Sequence, residues 1–166
     1  MPEPLTVLIK RAARELGFDA VGISRVPLPS EPPPDHSTPS PFPRLRDRLQ
    51  EWLLRGFQAS MNWMMRDPER RVDPALVMPG CRAIISVGMN YYTDQRADER
   101  PGNGRIARYA WGLDYHTVLG DRLTQLSERI TALAPEGRHR AYVDTGPVME
   151  KAWAQQAGLG WIGKRS

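Results

Sequence analysis

The stretch Ala83-Ile84-Ile85-Ser86-Val87-Gly88-Met89 decides the fold. It is almost continuously apolar and rich in β-branched residues, which is typical of a strand covered on both faces. Three other segments predict further strands, and they lie at residues 18–23, 106–111 and 140–143. Together these segments predict one mixed sheet at the centre of the chain.

Helical patterns flank these strands in the N-terminal half. Residues 5–16 repeat apolar side chains at helical spacing, and Gly17 is placed to end that helix. Residues 45–53 carry a second apolar face, with Gly56 as the expected stop. Residues 61–65 predict a further helical turn.

Two more helices are expected in the C-terminal half. Asp114 is a suitable N-cap for a long helix with apolar positions between residues 119 and 133. Pro147 fits the first turn of a helix that ends near Gly158. The order of elements predicts an α/β or α+β fold in which helices sandwich a single mixed sheet.

Length and composition predict one compact domain over residues 1–166. A chain of 166 residues with 40% hydrophobic content can bury one substantial core. Residues 27–43 hold eight prolines, so they predict an extended polar loop or a disordered insertion. This loop is not expected to be a domain boundary, because too few residues precede it to fold alone.

Charge, cysteine content and hydropathy limit the classes of function. The net charge of +4 and the pI near 9.6 permit an anionic partner, although an ordinary solvated basic surface explains the same charge. Cys81 is the only cysteine, so the chain can form no internal disulfide and cannot by itself hold a metal cluster with four thiolates. The sequence has no apolar run of about 18 residues and no signal-peptide pattern, which predicts a soluble cytoplasmic protein without a membrane partner.

Asp144 and His116 are the candidates for chemistry. Asp144 follows the strand predicted at 140–143 and precedes a helix, where α/β folds place ligand-contacting groups. The same residue also fits a turn aspartate that accepts the N–H of Gly146 or Val148. A catalytic role needs partial burial, which would raise the pKa of the carboxyl toward neutrality so that it can donate a proton. His116 lies in the first turn of the long helix, either as a surface or capping group or as a catalyst.

Residues 158–163 match the pattern G-x-G-x-x-G by letter. A dinucleotide fingerprint must follow a strand and open a helix, so that the pyrophosphate meets the helix N-terminus. These glycines follow a helix instead. Gly158 is therefore better explained as a helix C-cap.

Several motifs, taken together, resemble one protein family. The longest are RYAWGLDYH at residues 108–116, VDTGPVMEK at 143–151 and AGLGWIGK at 157–164, and shorter ones lie at 71–72, 79–82 and 84–91. Their order and spacing are similar to those of the epoxyqueuosine reductases of the queuosine tRNA-modification pathway. The resemblance covers nearly the whole chain except the proline-rich loop.

The resemblance implies a cobalamin-dependent reductase that removes the epoxide oxygen of epoxyqueuosine at the wobble position of tRNAs with a GUN anticodon. In that family the aspartate that matches Asp144 is the proposed proton donor. By position, the cobalamin-side residues are Arg71, Ala107, Arg108, His116, Asp144, Lys151 and Arg165. Many members have an arginine at the position of Lys151 and an asparagine at the position of Arg165. We expect a monomer.

The resemblance also implies iron–sulfur chemistry for which this chain has no ligands. Family members continue past the segment that matches Gly163 into a ferredoxin-like region, whose cysteines hold two 4Fe–4S clusters. We therefore expect a truncated form of the enzyme that is inactive alone and holds no metal itself. Two alternatives stay open: a non-catalytic corrinoid- or RNA-binding fragment, and a protein related to corrinoid reductive dehalogenases.

Overall fold

The computed structural model describes residues 3–27, 41–94 and 100–163, with no side-chain description for residues 41–44. The helices are α1 Leu5–Glu15, α2 Pro41–Leu54, α3 Pro68–Val72, α4 Pro74–Val77, α5 Tyr115–Leu133 and α6 Glu150–Gln156, the strands are β1 Ala20–Arg25 and β2 Ala83–Gly88, and 3-10 turns occupy Asn62–Met65 and Arg108–Ala110. Within these ranges, none of the helices has the length and apolar character needed to cross a bilayer.

Strands β1 and β2 pair with each other in a two-stranded antiparallel sheet. The N–H of Asp19, just before β1, donates to the carbonyl of Gly88 at the end of β2, at 3.0 Å. The N–H of Val26, just after β1, donates to the carbonyl of Arg82 before β2, at 2.8 Å. Opposite ends of the strands are thus paired, and both of the strands predicted at 18–23 and 83–89 are confirmed within two residues.

The chain divides into two compact units. The first unit contains residues 1–21 and 87–145, and the second contains residues 22–86 and 146–166. Each unit therefore combines two segments that are distant in sequence.

In the first unit, α1 packs against α5. Ile9 and Ala13 on one stripe of α1 are buried, and so is Leu126 of α5. At the edge of this contact, Arg129 Nη1 donates to Glu15 Oε2 at 2.6 Å. The spacing of apolar residues in α1 thus correctly predicted its buried face. Packing that face against a neighbouring helix removes apolar surface from water.

The second unit has its core around Trp153 of α6, which is only 1% exposed. Trp153 packs in one cluster with Val26 and Cys81, and Ile84 and Val148 lie partly buried against that cluster. Helix α3 packs against both α2 and α4. These contacts bring residues from the middle and the end of the sequence into one core.

Glycine ends three helices as predicted. Gly17 after α1, Gly56 after α2 and Gly158 after α6 have φ values of 83°, 69° and 77°. In each case the glycine amide donates to the carbonyl three residues earlier, at 2.9–3.0 Å. Glycine adopts this left-handed conformation without the steric cost that a Cβ brings, and the three predicted stops are confirmed.

Two helix starts differ from the sequence prediction. Helix α2 begins at Pro41, so the end of the proline-rich segment 27–43 is helical rather than a loop, which agrees with the tolerance of a first turn for proline. The part of that segment at 28–40 lies outside the described residues. Pro147 is not in the first turn of α6, because Met149 is the N-cap and its carbonyl accepts the first N–H groups of the helix.

The strands predicted at 106–111 and 140–143 are wrong. Residues 103–107 and 140–142 belong to no helix or strand, and Arg108–Ala110 is a 3-10 turn. A strand needs a neighbour to accept and donate its backbone hydrogen bonds, and no described segment pairs with either stretch. The fold is thus a mixed α/β fold, as predicted, but its sheet has two strands within the described ranges instead of the predicted mixed sheet sandwiched by helices.

Candidate active site around Asp144

Asp144 lies in a tight turn of the first unit rather than at the end of a strand. Its φ is 55°, in the left-handed region that residues with a Cβ seldom adopt, and its side chain is exposed. Beside it, the Thr145 N–H donates to the Val143 carbonyl at 2.6 Å. Aspartate tolerates this backbone conformation better than most residues, but an observed outlier of this kind is a recognised mark of functional sites.

Tyr115, the first residue of α5, holds the Asp144 side chain. Its hydroxyl donates a hydrogen bond to Asp144 Oδ2. This hydrogen bond raises the pKa of Tyr115 to about 12. The carboxylate accepts a hydrogen bond from the neutral phenol, and its negative charge would repel the phenolate that ionisation creates. The contact joins residues that are 29 positions apart in sequence.

The start of α5 fixes Tyr115 in turn. Asp114 is the N-cap, as predicted, and its Oδ1 accepts the backbone N–H of His116 at 2.9 Å. The same oxygen lies 2.9 Å from His116 Nδ1. Both hydrogen bonds lower the pKa of Asp114, and the one from the backbone N–H of His116 has the larger effect. The Tyr115 ring stacks on the His116 ring at 4.1 Å and meets the Tyr109 ring edge-on at 6.0 Å.

Arg108 is held among aromatic side chains of the first unit. Its guanidinium carbon lies 5.0 Å from the Tyr92 ring centre and 5.3 Å from that of Trp111. The indole of Trp111 donates to the Ile106 carbonyl at 2.8 Å. The predicted residue Ala107 precedes this turn and accepts the N–H of Ala110 at 2.9 Å. Residues 101–110 are all exposed, so this segment presents backbone and cationic groups to solvent.

The remaining candidates belong to the second unit or lie outside the described ranges. Arg71 of α3 places its guanidinium 5.0 Å from the Trp63 ring centre, and its Nη2 donates to the Trp63 carbonyl at 3.5 Å. Within the described part of the chain, Arg71 Nε is buried without a hydrogen-bond partner. Lys151 is an exposed residue of α6. Arg165 lies outside the described residues.

Comparison with known proteins gives matches that include this part of the chain. The family model "Epoxyqueuosine reductase QueG, DUF1730" matches residues 71–145, the range that includes Asp144 and the start of α5. The epoxyqueuosine reductase of Synechococcus sp. strain CC9605 is 44% identical over 98% of this chain. The chain matches the N-terminal portion of the epoxyqueuosine reductases. The resemblance drawn from the sequence motifs is confirmed.

Solved epoxyqueuosine reductase structures agree in fold. The enzyme from Streptococcus thermophilus is 27% identical with a TM-score of 0.75, and the match covers 96% of this chain and 40% of that one. An epoxyqueuosine reductase bound to an epoxyqueuosine-modified tRNA-Tyr stem loop is 26% identical with a TM-score of 0.75, covering 97% and 40%. The chain spans about half the length of its curated relatives, 46% in the case of the Synechococcus enzyme.

Cys81 lies in the core of the second unit. It is buried against Val26 and Trp153, and its Sγ donates to the Ala83 carbonyl at 3.5 Å. Burial raises the pKa of this thiol, which disfavours the thiolate that metal binding requires. No group of three or more His, Cys, Asp or Glu side chains in the described ranges could hold a metal ion.

The residue that was missed from sequence is Tyr115. It lies inside the RYAWGLDYH motif, at a position where an aromatic side chain is ordinarily explained by packing. Only the folded chain shows that the Tyr115 hydroxyl reaches the Asp144 carboxylate. The sequence held one local signal for Tyr115. It directly follows the N-cap Asp114, so it is the first residue of a helix.

Proposed function

We propose that this chain is the N-terminal catalytic part of an enzyme that reduces epoxyqueuosine to queuosine in tRNA, with Asp144 as the proton donor. The observation that carries the proposal is the match to a named epoxyqueuosine reductase over 98% of the chain. The conformation of Asp144 supports its role, because its left-handed turn and its hydrogen bond from Tyr115 give the carboxylate a defined place.

The reaction explains why an acid is needed. When an epoxide C–O bond breaks, the oxygen becomes an alkoxide, and a positioned carboxylic acid can protonate it in the transition state. Asp144 would give its proton to that oxygen and become a carboxylate, which the Tyr115 hydroxyl already contacts. Asp144 is exposed in this chain, so the partial burial that favours the protonated acid would have to come from the bound substrate and cofactor.

The residues present fit cobalamin. This cofactor carries amide groups and a phosphate, which suit exposed guanidinium, ammonium and backbone N–H donors. In the first unit, Ala107, Arg108 and His116 would hold it. By resemblance alone, Arg71 and Lys151 are also cofactor-side residues; within the described residues Arg71 Nε has no hydrogen-bond partner, which an acceptor group of a ligand would supply. Cobalamin, when bound, supplies the electrons that open the epoxide.

The residues present do not fit the 4Fe–4S clusters that the family resemblance implies. Such a cluster requires several cysteine thiolates, and this chain has the buried Cys81 as its one cysteine. No electron path is therefore assigned to residues of this chain.

The proposed partner is tRNA that carries epoxyqueuosine at the first position of a GUN anticodon. A solved epoxyqueuosine reductase of the same fold binds an epoxyqueuosine-modified tRNA-Tyr stem loop. In this chain, the exposed segment 100–110 carries Arg100, Arg105 and Arg108 beside the aromatic residues described above. Guanidinium groups next to aromatic rings suit an RNA loop, since they bind phosphates and stack on unpaired bases.

Asp144→Asn tests the proposal in a full-length protein that carries this chain as its N-terminal part. The amide keeps the size of the side chain and an oxygen that can accept the Tyr115 hydroxyl, but it cannot donate the acidic proton. Turnover of epoxyqueuosine-modified tRNA should fall by about 10²- to 10⁴-fold, the usual cost of losing a general acid. Cobalamin absorbance and tRNA affinity should stay near their original values.

Asp121→Asn is the matched control, because Asp121 is an exposed carboxylate on the surface of α5. Its turnover should equal that of the unmodified enzyme. Near-normal turnover by Asp144→Asn would leave Asp144 with a structural role only and would overturn the proposal.

A further inference from the structure

We infer that Tyr115 is a positioning residue for Asp144, which keeps the carboxyl group in place for proton transfer. The inference rests on the proposed role of Asp144 as the proton donor. Tyr115 is not among the site residues that the family resemblance implies. The supporting observation is the hydrogen bond that its hydroxyl donates to Asp144 Oδ2.

Asp144 needs such a restraint because of its backbone. A residue with a Cβ at φ 55° lies in a sparsely populated region, and surrounding contacts must hold it there. The turn itself contributes the short backbone hydrogen bond from Thr145 to Val143. The side chain is exposed, so packing alone does not define its direction, and a hydrogen bond to a fixed donor does.

Tyr115 is suited to be that fixed donor. Its backbone begins a helix of 19 residues whose N-cap, Asp114, is hydrogen bonded to His116. Its ring lies against His116 on one side and against the edge of Tyr109 on another. A phenol also has few rotatable bonds, so little conformational entropy is lost when it holds its partner.

The direction of the hydrogen bond matches the chemistry. A neutral phenol donates more strongly to an ionised carboxylate than to a carboxylic acid. Tyr115 therefore remains a hydrogen-bond donor to Asp144 once Asp144 has given up its proton.

The contact can be tested in this chain without any enzyme assay. Ring-labelled tyrosine gives an NMR signal for each phenol, and the signal missing in Tyr115→Phe identifies Tyr115. At about pH 11 a clearly larger fraction of Tyr115 should be ionised in Asp144→Asn than in the unmodified chain, because loss of the carboxylate removes the largest cause that raises the pKa of Tyr115 to about 12. An unchanged Tyr115 signal in Asp144→Asn would overturn the inference at its first step.

The second test uses turnover by the full-length enzyme. Tyr115→Phe keeps the ring and its contacts and removes only the hydroxyl. Misplacing a catalytic group slightly can cost up to about 10²-fold, so we expect kcat to fall roughly 10- to 100-fold while KM for tRNA changes less than about twofold. In the Asp144→Asn background the same change should have no further effect, since Tyr115 acts only through Asp144.

Tyr91→Phe is the control, because it removes a phenol hydroxyl from an exposed side chain of the same unit. Two failures can be told apart. If Asp144→Asn keeps turnover, the proposed function fails. If Asp144→Asn loses turnover while Tyr115→Phe keeps it, or if the two losses add in the double variant, Asp144 stands as the proton donor and the positioning role of Tyr115 is wrong.

Discussion

Gly22→Ala should destabilise the second unit, because the turn after α6 lies directly against strand β1 at this residue. A Cβ on Gly22 would lie 2.7 Å from Ala157 Cβ, 2.9 Å from the Ala157 carbonyl oxygen and 3.0 Å from Leu159 Cγ. The first two atoms cannot rotate away, since one is attached directly to the backbone and the other belongs to it. The added methyl group must therefore push the strand and the turn apart.

The expected loss follows from two opposing effects. Forcing an extra methyl group into a packed contact costs roughly 1–3 kcal/mol. The lower freedom of alanine in the unfolded chain returns roughly 0.4–1 kcal/mol. With both effects at the middle of their ranges, we expect the free energy of unfolding to fall by about 1.3 kcal/mol, and by at most about 2.6 kcal/mol.

Gly120→Ala is the matched control. Gly120 lies within α5, and a Cβ there would have no heavy atom within 4 Å apart from its own helix and neighbours. Alanine is favoured over glycine in a helix by roughly 0.5–1 kcal/mol, so this variant should become more stable. Urea unfolding, followed by far-UV circular dichroism and tryptophan fluorescence, should shift the two midpoints in opposite directions. A midpoint for Gly22→Ala at or above that of the unmodified chain would refute the steric argument.

Two further predictions concern titratable groups. Asp114→Ala should lower the urea midpoint near neutral pH, whereas Asp114→Asn keeps a capping oxygen and should do so less. Because the pKa of Asp114 is lowered in the folded chain, its charge stabilises the fold above its ordinary pKa of 3.8, and this stabilisation is lost as the pH falls through the folded-state value. The difference in urea midpoint between Asp114→Asn and the unmodified chain should therefore disappear in acid. A difference that persists there would show that the Asp114 charge is not its cause. Cys81 should react slowly with a thiol reagent in the folded chain and rapidly in urea, since burial raises its pKa and blocks access; equal rates would show that the thiol is exposed.

The sequence predicted correctly those features that depend on a few neighbouring residues. The glycine after α1 and the aspartate before α5 act through contacts within a turn. The apolar run of β2 does form a strand, but its residues are partly buried or exposed rather than covered on both faces as predicted. The strands predicted at 106–111 and 140–143 are wrong for a different reason. Their composition suits a strand, but a strand also needs a partner for its backbone, and nothing in those residues reports whether one is present.

The candidate site also has features that the sequence predicts and features that only the fold decides. The motif around Asp144 and its family resemblance could be found from residue order, because motifs are linear patterns along the chain. The left-handed turn at Asp144 and its hydrogen bond from Tyr115 could not, because the partner lies 29 residues away. Sequence by itself thus predicted four of the helices (α1, α2, α5 and α6), the glycines that end three of them, the Asp114 cap and the resemblance to the epoxyqueuosine reductases. Tertiary structure alone decided which side chain holds the carboxylate, since that depends on how distant segments fold back on one another.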